Sequence, residues 1–254
     1  MYLTRFRVNT ARPGARRLLS SPQSLHAAAM SSFPGLLPTG TDGPRVLWRL
    51  DHNTRAEVFL YIVSPARPDL THLVEQAGWP AAALDPDTPG WQTRPYTPFL
   101  ERLTKGDTWA FRLTANPVHH IRRKDGEPTK RTAHRTPVHQ KAWLLDRQER
   151  SGFRIVEKPD ENRLLPSGTT YKGHRHHGDR HELTVREPRS LAFAKSDEAA
   201  PKRHRVTVVA ATFDGRLEVT DPEALRRTLT QGLGKAKAYG CGLMTLAPLT
   251  TATE

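Results

Sequence analysis

The stretch Ser21-Pro22-Gln23-Ser24-Leu25-His26 combines a helix start with an imidazole and several hydrogen-bonding side chains. Histidine titrates near neutral pH, so it can give or take a proton during catalysis. A second constellation runs from Gly232 to Gly242 and places four glycines (Gly232, Gly234, Gly240 and Gly242) and two lysines (Lys235 and Lys237) within eleven residues. Glycines let backbone amides close on a phosphate, and lysines neutralise it. The same glycines would also serve as a helix C-cap with a flexible connector. A Rossmann fingerprint is excluded because its glycines follow a strand and open a helix. Here a helix beginning at Asp221-Pro222 ends in Gly232, and a strand starts near Leu243. Walker A fails too, since no Gly-Lys-Ser/Thr closes the loop.

Histidines 174, 176, 177 and 181 alternate with Arg175, Asp179 and Arg180. Their spacing fits no zinc motif, so the segment reads as a basic arm for phosphate, and no metal is expected. Between Asn116 and Lys141, seven cations (Arg122, Arg123, Lys124, Lys130, Arg131, Arg135 and Lys141) face only Asp125 and Glu127. A charge run is a solvated loop unless something anionic covers it, and this imbalance points to a phosphate track. Lys202, Arg203 and Arg205 extend the pattern. Residues 1–41 carry Arg5, Arg7, Arg12, Arg16 and Arg17 and no acid. An Arg-rich, acid-poor start resembles a mitochondrial transit peptide, but the strand-like alternation from Tyr2 to Val8 argues against a cleavable leader.

These clusters sit in a chain of 254 residues with 39 Lys+Arg, 26 Asp+Glu and a formal charge of +13. Such an excess favours a polyanionic partner. With 36% hydrophobic residues the chain can bury a core, and no apolar run reaches the roughly 20 residues that span a bilayer. Cys241 is the only cysteine, which rules out intrachain disulfides and thiolate zinc sites. A reduced, cytoplasmic compartment is the expectation.

The elements that must position this chemistry follow from hydrophobic period. Tyr2–Val8 reads as a strand, which Pro13-Gly14 breaks, Pro22 to Phe33 as a helix, residues 45–50 and 57–63 as a hairpin, and Leu70 to Ala77 as a short helix. The prolines from Pro80 to Pro98 predict irregular chain, and Thr108–Thr114 a closing strand. That order, βαββαβ, is the ferredoxin-like module. A second series comprises strands at 153–156, 182–186, 205–213 and 216–219, a helix from Asp221 and a strand at 243–248. The expected fold class is therefore α+β, two tandem ferredoxin-like (RRM-like) modules. Their expected spans are 1–118 and 151–254, with a basic linker and helix over 119–150.

Several motifs occur in a fixed order: Met1 to Arg7, Arg16-Arg17-Leu18-Leu19, Ser21-Pro22, His26, Leu47-Trp48-Arg49-Leu50, Phe111 to Pro117, Thr136-Pro137 and Trp143-Leu144. The glycine loop then runs into Leu246-Ala247-Pro248. Together they resemble the CasE family, the CRISPR-associated endoribonucleases of the subtype I-E system, over essentially the whole chain. The resemblance implies cleavage of precursor CRISPR RNA at the 3′ base of the repeat stem-loop. It also implies retention of mature crRNA within the Cascade complex, whose other subunits are partners, and no membrane partner. The implied chemistry needs no metal or cofactor: the ribose 2′-hydroxyl attacks phosphorus, leaving a 2′,3′-cyclic phosphate and a 5′-hydroxyl. His26 matches the family's catalytic histidine. Gln23 stands where some members carry a tyrosine, and it cannot transfer a proton at neutral pH; Gln23 and Ser21 are candidates for support. The RNA-phosphate candidates are Gly232, Gly234, Lys235, Lys237, Arg16, Arg17, Arg122, Arg123, Lys130, Arg131, Arg135, Arg175 and Arg180. Two rivals are a non-catalytic RRM-like module, disfavoured by the missing aromatic RNP pattern, and a metal-dependent phosphodiesterase using the histidine cluster.

Overall fold

The structure is a computed structural model that describes residues 1–33, 35, 43–54, 57–80, 90–121, 129–163, 170–171, 174–175, 179–195 and 204–249. Strand β1 (Tyr2–Val8) buries Thr4, Phe6 and Val8 and exposes Arg5 and Arg7, the alternation of a half-buried strand. Two short helices follow, α1 (Pro13–Ser20) and α2 (Pro22–Met30), each with proline in its first turn, where no amide is lost. Ser21 ends the first and caps the second, its hydroxyl accepting from the Ser24 amide at 3.4 Å. Pro13-Gly14 thus opens a helix rather than only breaking a strand.

Strands β2 (Leu47–His52) and β3 (Val58–Ser64) form the expected hairpin, followed by α3 (Thr71–Ala77), β4 (Trp91–Pro95) and α4 (Thr97–Glu101). The first sheet has the order β2-β3-β1-β4, that of a ferredoxin-like module. Its closing strand is β4 and not Thr108–Thr114. Pro95 ends an edge strand, where a missing amide costs no ladder bond, and Pro98 opens α4.

The segment around Thr108–Thr114 is β5 (Thr108–Ala115), and it lies inside the second sheet. After it come the hairpin β6 (Val118–Ile121) and β7 (Lys130–Ala133), α5 (Pro137–Gln148), β8 (Phe153–Ile155), a small pair β9 (Thr170–Tyr171) and β10 (His174–Arg175), and β11 (Leu183–Lys195). Strand β12 (His204–Val219), α6 (Pro222–Gln231) and β13 (Met244–Ala247) complete the chain. The second sheet runs β11-β12-β5-β13, with β8 also paired to β12. Residues 205–213 and 216–219, expected as two strands, are one continuous β12. The first sheet therefore ends at Pro95 and the second begins at Thr108, ahead of the expected boundary at 118. Residues 129–150 are no linker either: Trp143 and Leu144 of α5 are buried with Phe153, Phe213 and Leu217 of the second module.

The first sheet is covered on both faces. Phe6, Trp48, Leu60 and Ile62 pack with Leu18, Leu25 and Leu73 of the helices, whereas Leu47 and Val63, which pair across the strands, join the core of the second module. On this second face Arg49, only 1% exposed, forms a seam between the modules. It donates from Nε and Nη2 to the Asp51 carboxylate at 2.6 and 2.9 Å, from Nη1 to the carbonyls of Arg112 and Leu243 at 2.7 and 3.1 Å, and from Nη2 to Thr245 Oγ1 at 2.8 Å. Every face of the fork is engaged, as a buried guanidinium requires.

Candidate catalytic helix and nucleic-acid interface

His26 lies half-buried on α2. Its neighbour is Trp48 of β2, 3% exposed, whose indole nitrogen donates to His26 Nδ1 at 3.3 Å. Burial lowers the His26 pKa from its usual 6.5, because a less hydrated imidazolium is disfavoured. Gln23, one turn earlier on the same side of the helix, and Ser21 at the cap are both half-buried. A cavity of about 180 Å³ adjoins this end of α2, lined by Ser21, Pro22, Leu25 and Trp48 from the first module and by Thr114, Thr212, Tyr239 and Gly240 from the second.

The second module approaches α2 through the turn Lys237–Tyr239, which packs against it. Gly232, Gly234, Ala236, Gly240 and Gly242 all have positive φ, between 62° and 95°. Two of these glycines show what the loop uses them for. A Cβ on Gly240 would come within 2.6 Å of the Trp48 ring, and one on Gly234 within 3.1 Å of Trp143. The amide of Gly232 is bonded to the Thr228 carbonyl at 3.0 Å and that of Gly242 to the Thr114 carbonyl at 2.6 Å. The expectation that the Gly232 amide meets phosphate is therefore corrected: Gly232 ends α6 and packs against Leu47, and Gly234 makes room for Trp143. Lys235 is exposed and Lys237 is half-buried, and burial, with Arg45 and Lys235 nearby, lowers the Lys237 pKa.

Arg16 and Arg17 are exposed on α1, which packs on α2. Lys130 and Arg131 are exposed on β7, where Lys130 pairs with Ile121 and Arg131 with His120; adjacent strand residues point to opposite faces. Arg135 is exposed at the foot of this hairpin. Arg180 is bound to Glu157 at 2.8 Å, so its charge is matched within the protein. Arg122 and Arg123 lie outside the described residues, as do His176 and His177, and of Arg175 only the strand placement is described. Among the described residues no group of three His, Cys, Asp or Glu is arranged to hold a metal ion. Two participants were not singled out from the sequence: Trp48 as the partner of His26, and Arg49 as the seam. Neither contact has a local spacing signal, since Trp48 bonds a residue 22 positions away and Arg49 reaches Leu243 and Thr245.

The family model of CRISPR-associated proteins matches residues 1–248. The CRISPR-associated endoribonuclease Cse3 of Thermus thermophilus is 30% identical over 250 residues, covering 98% of this chain and 100% of the relative. The chain belongs to the CasE family. Among solved structures, a CRISPR endoribonuclease Cse3 bound to 19-nucleotide RNA superposes on this CasE protein with a TM-score of 0.72 at 28% identity, covering 98% and 100% of the two chains. A Thermus thermophilus Cse3 bound to an RNA representing a pre-cleavage complex gives 0.68 at 28% identity, covering 97% and 98%. In this CasE fold the two ferredoxin-like modules meet at the site just described. No helix among the described residues is long and apolar enough to cross a membrane.

Proposed function

We propose that this protein is an endoribonuclease that cleaves precursor CRISPR RNA at the 3′ base of the repeat stem-loop and keeps the product as a Cascade subunit. The reaction is metal-independent attack of the 2′-hydroxyl on the adjacent phosphorus, giving a 2′,3′-cyclic phosphate and a 5′-hydroxyl. The observation that carries this reading is the convergence of His26 with the lysine-bearing turn from the other module. Full-length similarity to relatives named as CRISPR endoribonucleases, two of them bound to RNA, supports it.

Attack by a 2′-hydroxyl needs a group to manage its proton, a donor for the departing 5′-oxygen, and positive charge facing the pentacoordinate phosphorus. His26 supplies one of the first two functions. Lys235 and Lys237 supply charge from one side of α2, and Arg16 and Arg17 from its neighbour α1. A-form RNA hides its base edges in a deep, narrow major groove, so the stem is held by shape and phosphate contacts. Lys130, Arg131 and Arg135, with Arg122, Arg123 and Arg175, supply phosphate contacts along the stem, Lys130 and Arg131 from opposite faces of the β6-β7 hairpin. Gln23 and Ser21 orient by hydrogen bonding, since neither transfers a proton near neutral pH.

The test is incubation of the purified protein, in EDTA, with three reactions: all-ribose stem-loop RNA, the same RNA with one 2′-deoxy at the cut, and His26→Ala with the all-ribose RNA. Site-specific cutting in the first reaction alone is expected. Binding without cutting would remove the enzymatic claim and leave an RNA-binding subunit, whereas cutting of the deoxy substrate would rule out 2′-hydroxyl attack.

A further inference from the structure

The contact between Trp48 and His26 determines which nitrogen of the imidazole carries its proton. An indole nitrogen can only donate, so across the 3.3 Å separation His26 Nδ1 is the acceptor. In the neutral ring the proton then resides on Nε2. Protonating Nδ1 as well would set two N–H groups against each other. We propose that Trp48 is a positioning residue that fixes His26 as the neutral Nε2–H tautomer, so that the ring offers the RNA a hydrogen-bond donor rather than a lone pair. The role of this tautomer in cleavage rests on the reading of His26 as the catalytic residue.

Trp48 is itself clamped. It is 3% exposed, packs with Leu25 and Ala29 of α2, and has Gly240 behind its six-membered ring. Gly240 has φ +76°, and a Cβ there would collide with Cζ3. The second module thus presses the indole toward the helix that carries His26. The titratable groups on elements packed against α2 are Arg16 and Arg17 on α1, His52 on β2, whose Arg49 and Asp51 point to the opposite face, His72 and the exposed Glu75 on α3, with His72 Nε2 3.0 Å from the Ala28 carbonyl oxygen, and Lys237 and Tyr239 on the turn; Arg189 of β11 lines the cavity beside them. The lowered His26 pKa traces to burial and to none of these charges. A hydrogen bond donated to the neutral ring acts in the same direction. Held this way, the ring donates a hydrogen bond from Nε2 to an oxygen gaining negative charge and keeps its own proton, so neither an imidazolium nor an imidazolate is formed.

Long-range ¹H–¹⁵N NMR of the full-length protein reads the tautomer directly, with the His26 signals assigned by their loss in His26→Gln. At pH 7.5 the wild type is expected to show an unprotonated Nδ1 and a protonated Nε2. Trp48→Phe keeps a ring against Gly240 but removes the donor. It should give mixed tautomers, raise the His26 titration midpoint by about 0.5 to 1 pH unit, and slow cleavage about 3- to 10-fold, the worth of one hydrogen bond. Activity requires the neutral ring, so it falls as pH drops through the His26 pKa, and in Trp48→Phe that acid limb should move up with the NMR midpoint. A wild type protonated on Nδ1 would overturn the proposal, as would Trp48→Phe with tautomer and acid limb unchanged. If Trp48→Phe does not fold, the wild-type spectrum still decides. Cleavage that survives His26→Ala would overturn both the catalytic reading and Trp48's part in the reaction. A wrong tautomer alongside inactive His26→Ala would overturn only the positioning.

Discussion

At the scale of single residues, burial shifts groups that sequence shows only as residue types. His26 and His134 both have pKa values below the usual 6.5, burial being the largest cause for each. The unfolded chain therefore takes up protons before the folded one as the medium is acidified. Their contribution to stability is present in full above pH 6.5 and is lost as pH falls through the folded values. Thermal melts by circular dichroism should show a lower Tm at pH 5.5 than at 7.5, with the difference reduced in a His26→Gln/His134→Gln variant. Cys241, 1% exposed, has its thiol pushed up to about 12. A disulfide exchange reagent should leave it untouched in the native protein and titrate one thiol in denaturant. The helical placement of His26 was legible in the sequence because Ser21-Pro22 marks a helix start. The purpose of the glycines was not: their pattern is local, but Gly240 and Gly234 answer to Trp48 and Trp143, which fold against them from far along the chain.

At the scale of elements, alternation made β1, β2 and β3 readable, and Asp221-Pro222 announced α6, where the Asp221 side chain accepts from the amides of Glu223 and Ala224 at 2.9 and 3.0 Å. The failures came from proline. Around Pro13, Pro95 and Pro98 it marks helix starts and an edge strand, and such positions are decided by neighbours rather than by the residue itself. Glycine gives a sharper element-level test. Gly152 ends the turn after α5 with φ +80°, and any Cβ there would overlap the Asp221 carbonyl oxygen and the Leu225 amide at the start of α6. Gly106 has φ +92° but open space around it. Gly106→Ala should cost about 1 kcal/mol from backbone strain alone, and Gly152→Ala about 3 kcal/mol or more, since backbone must also move. Urea unfolding of the two variants checks the difference.

At the scale of the molecule, composition announced a polyanionic partner and the period announced two βαββαβ units, but nothing local reported how the units join. The seam depends on Arg49, whose partners lie in both modules. Arg49→Met leaves the Asp51 carboxylate facing Arg112 at 3.5 Å and should cost about 3 to 5 kcal/mol. Arg49→Met/Asp51→Leu should recover part of that loss, because no buried charge is then left alone; calorimetry distinguishes the two. The surface charge makes a separate claim. Lys130→Ala and Arg131→Ala should each weaken stem-loop binding at low salt and flatten the slope of log affinity against log salt by about 0.7 to 0.9, as counterion release requires; filter binding across a salt series measures it. Trp48 and Arg49 are consecutive on β2, an edge strand of the first sheet. They point to opposite faces, the indole toward α2 and the guanidinium into the seam. A single inserted or deleted codon that slips β2 by one place against β3 would exchange them. The guanidinium would then lie beneath α2 and the indole among carbonyls it cannot satisfy. A length change within these six residues is therefore expected to undo the support of His26 and the joining of the modules together, so that neither can drift in evolution without the other.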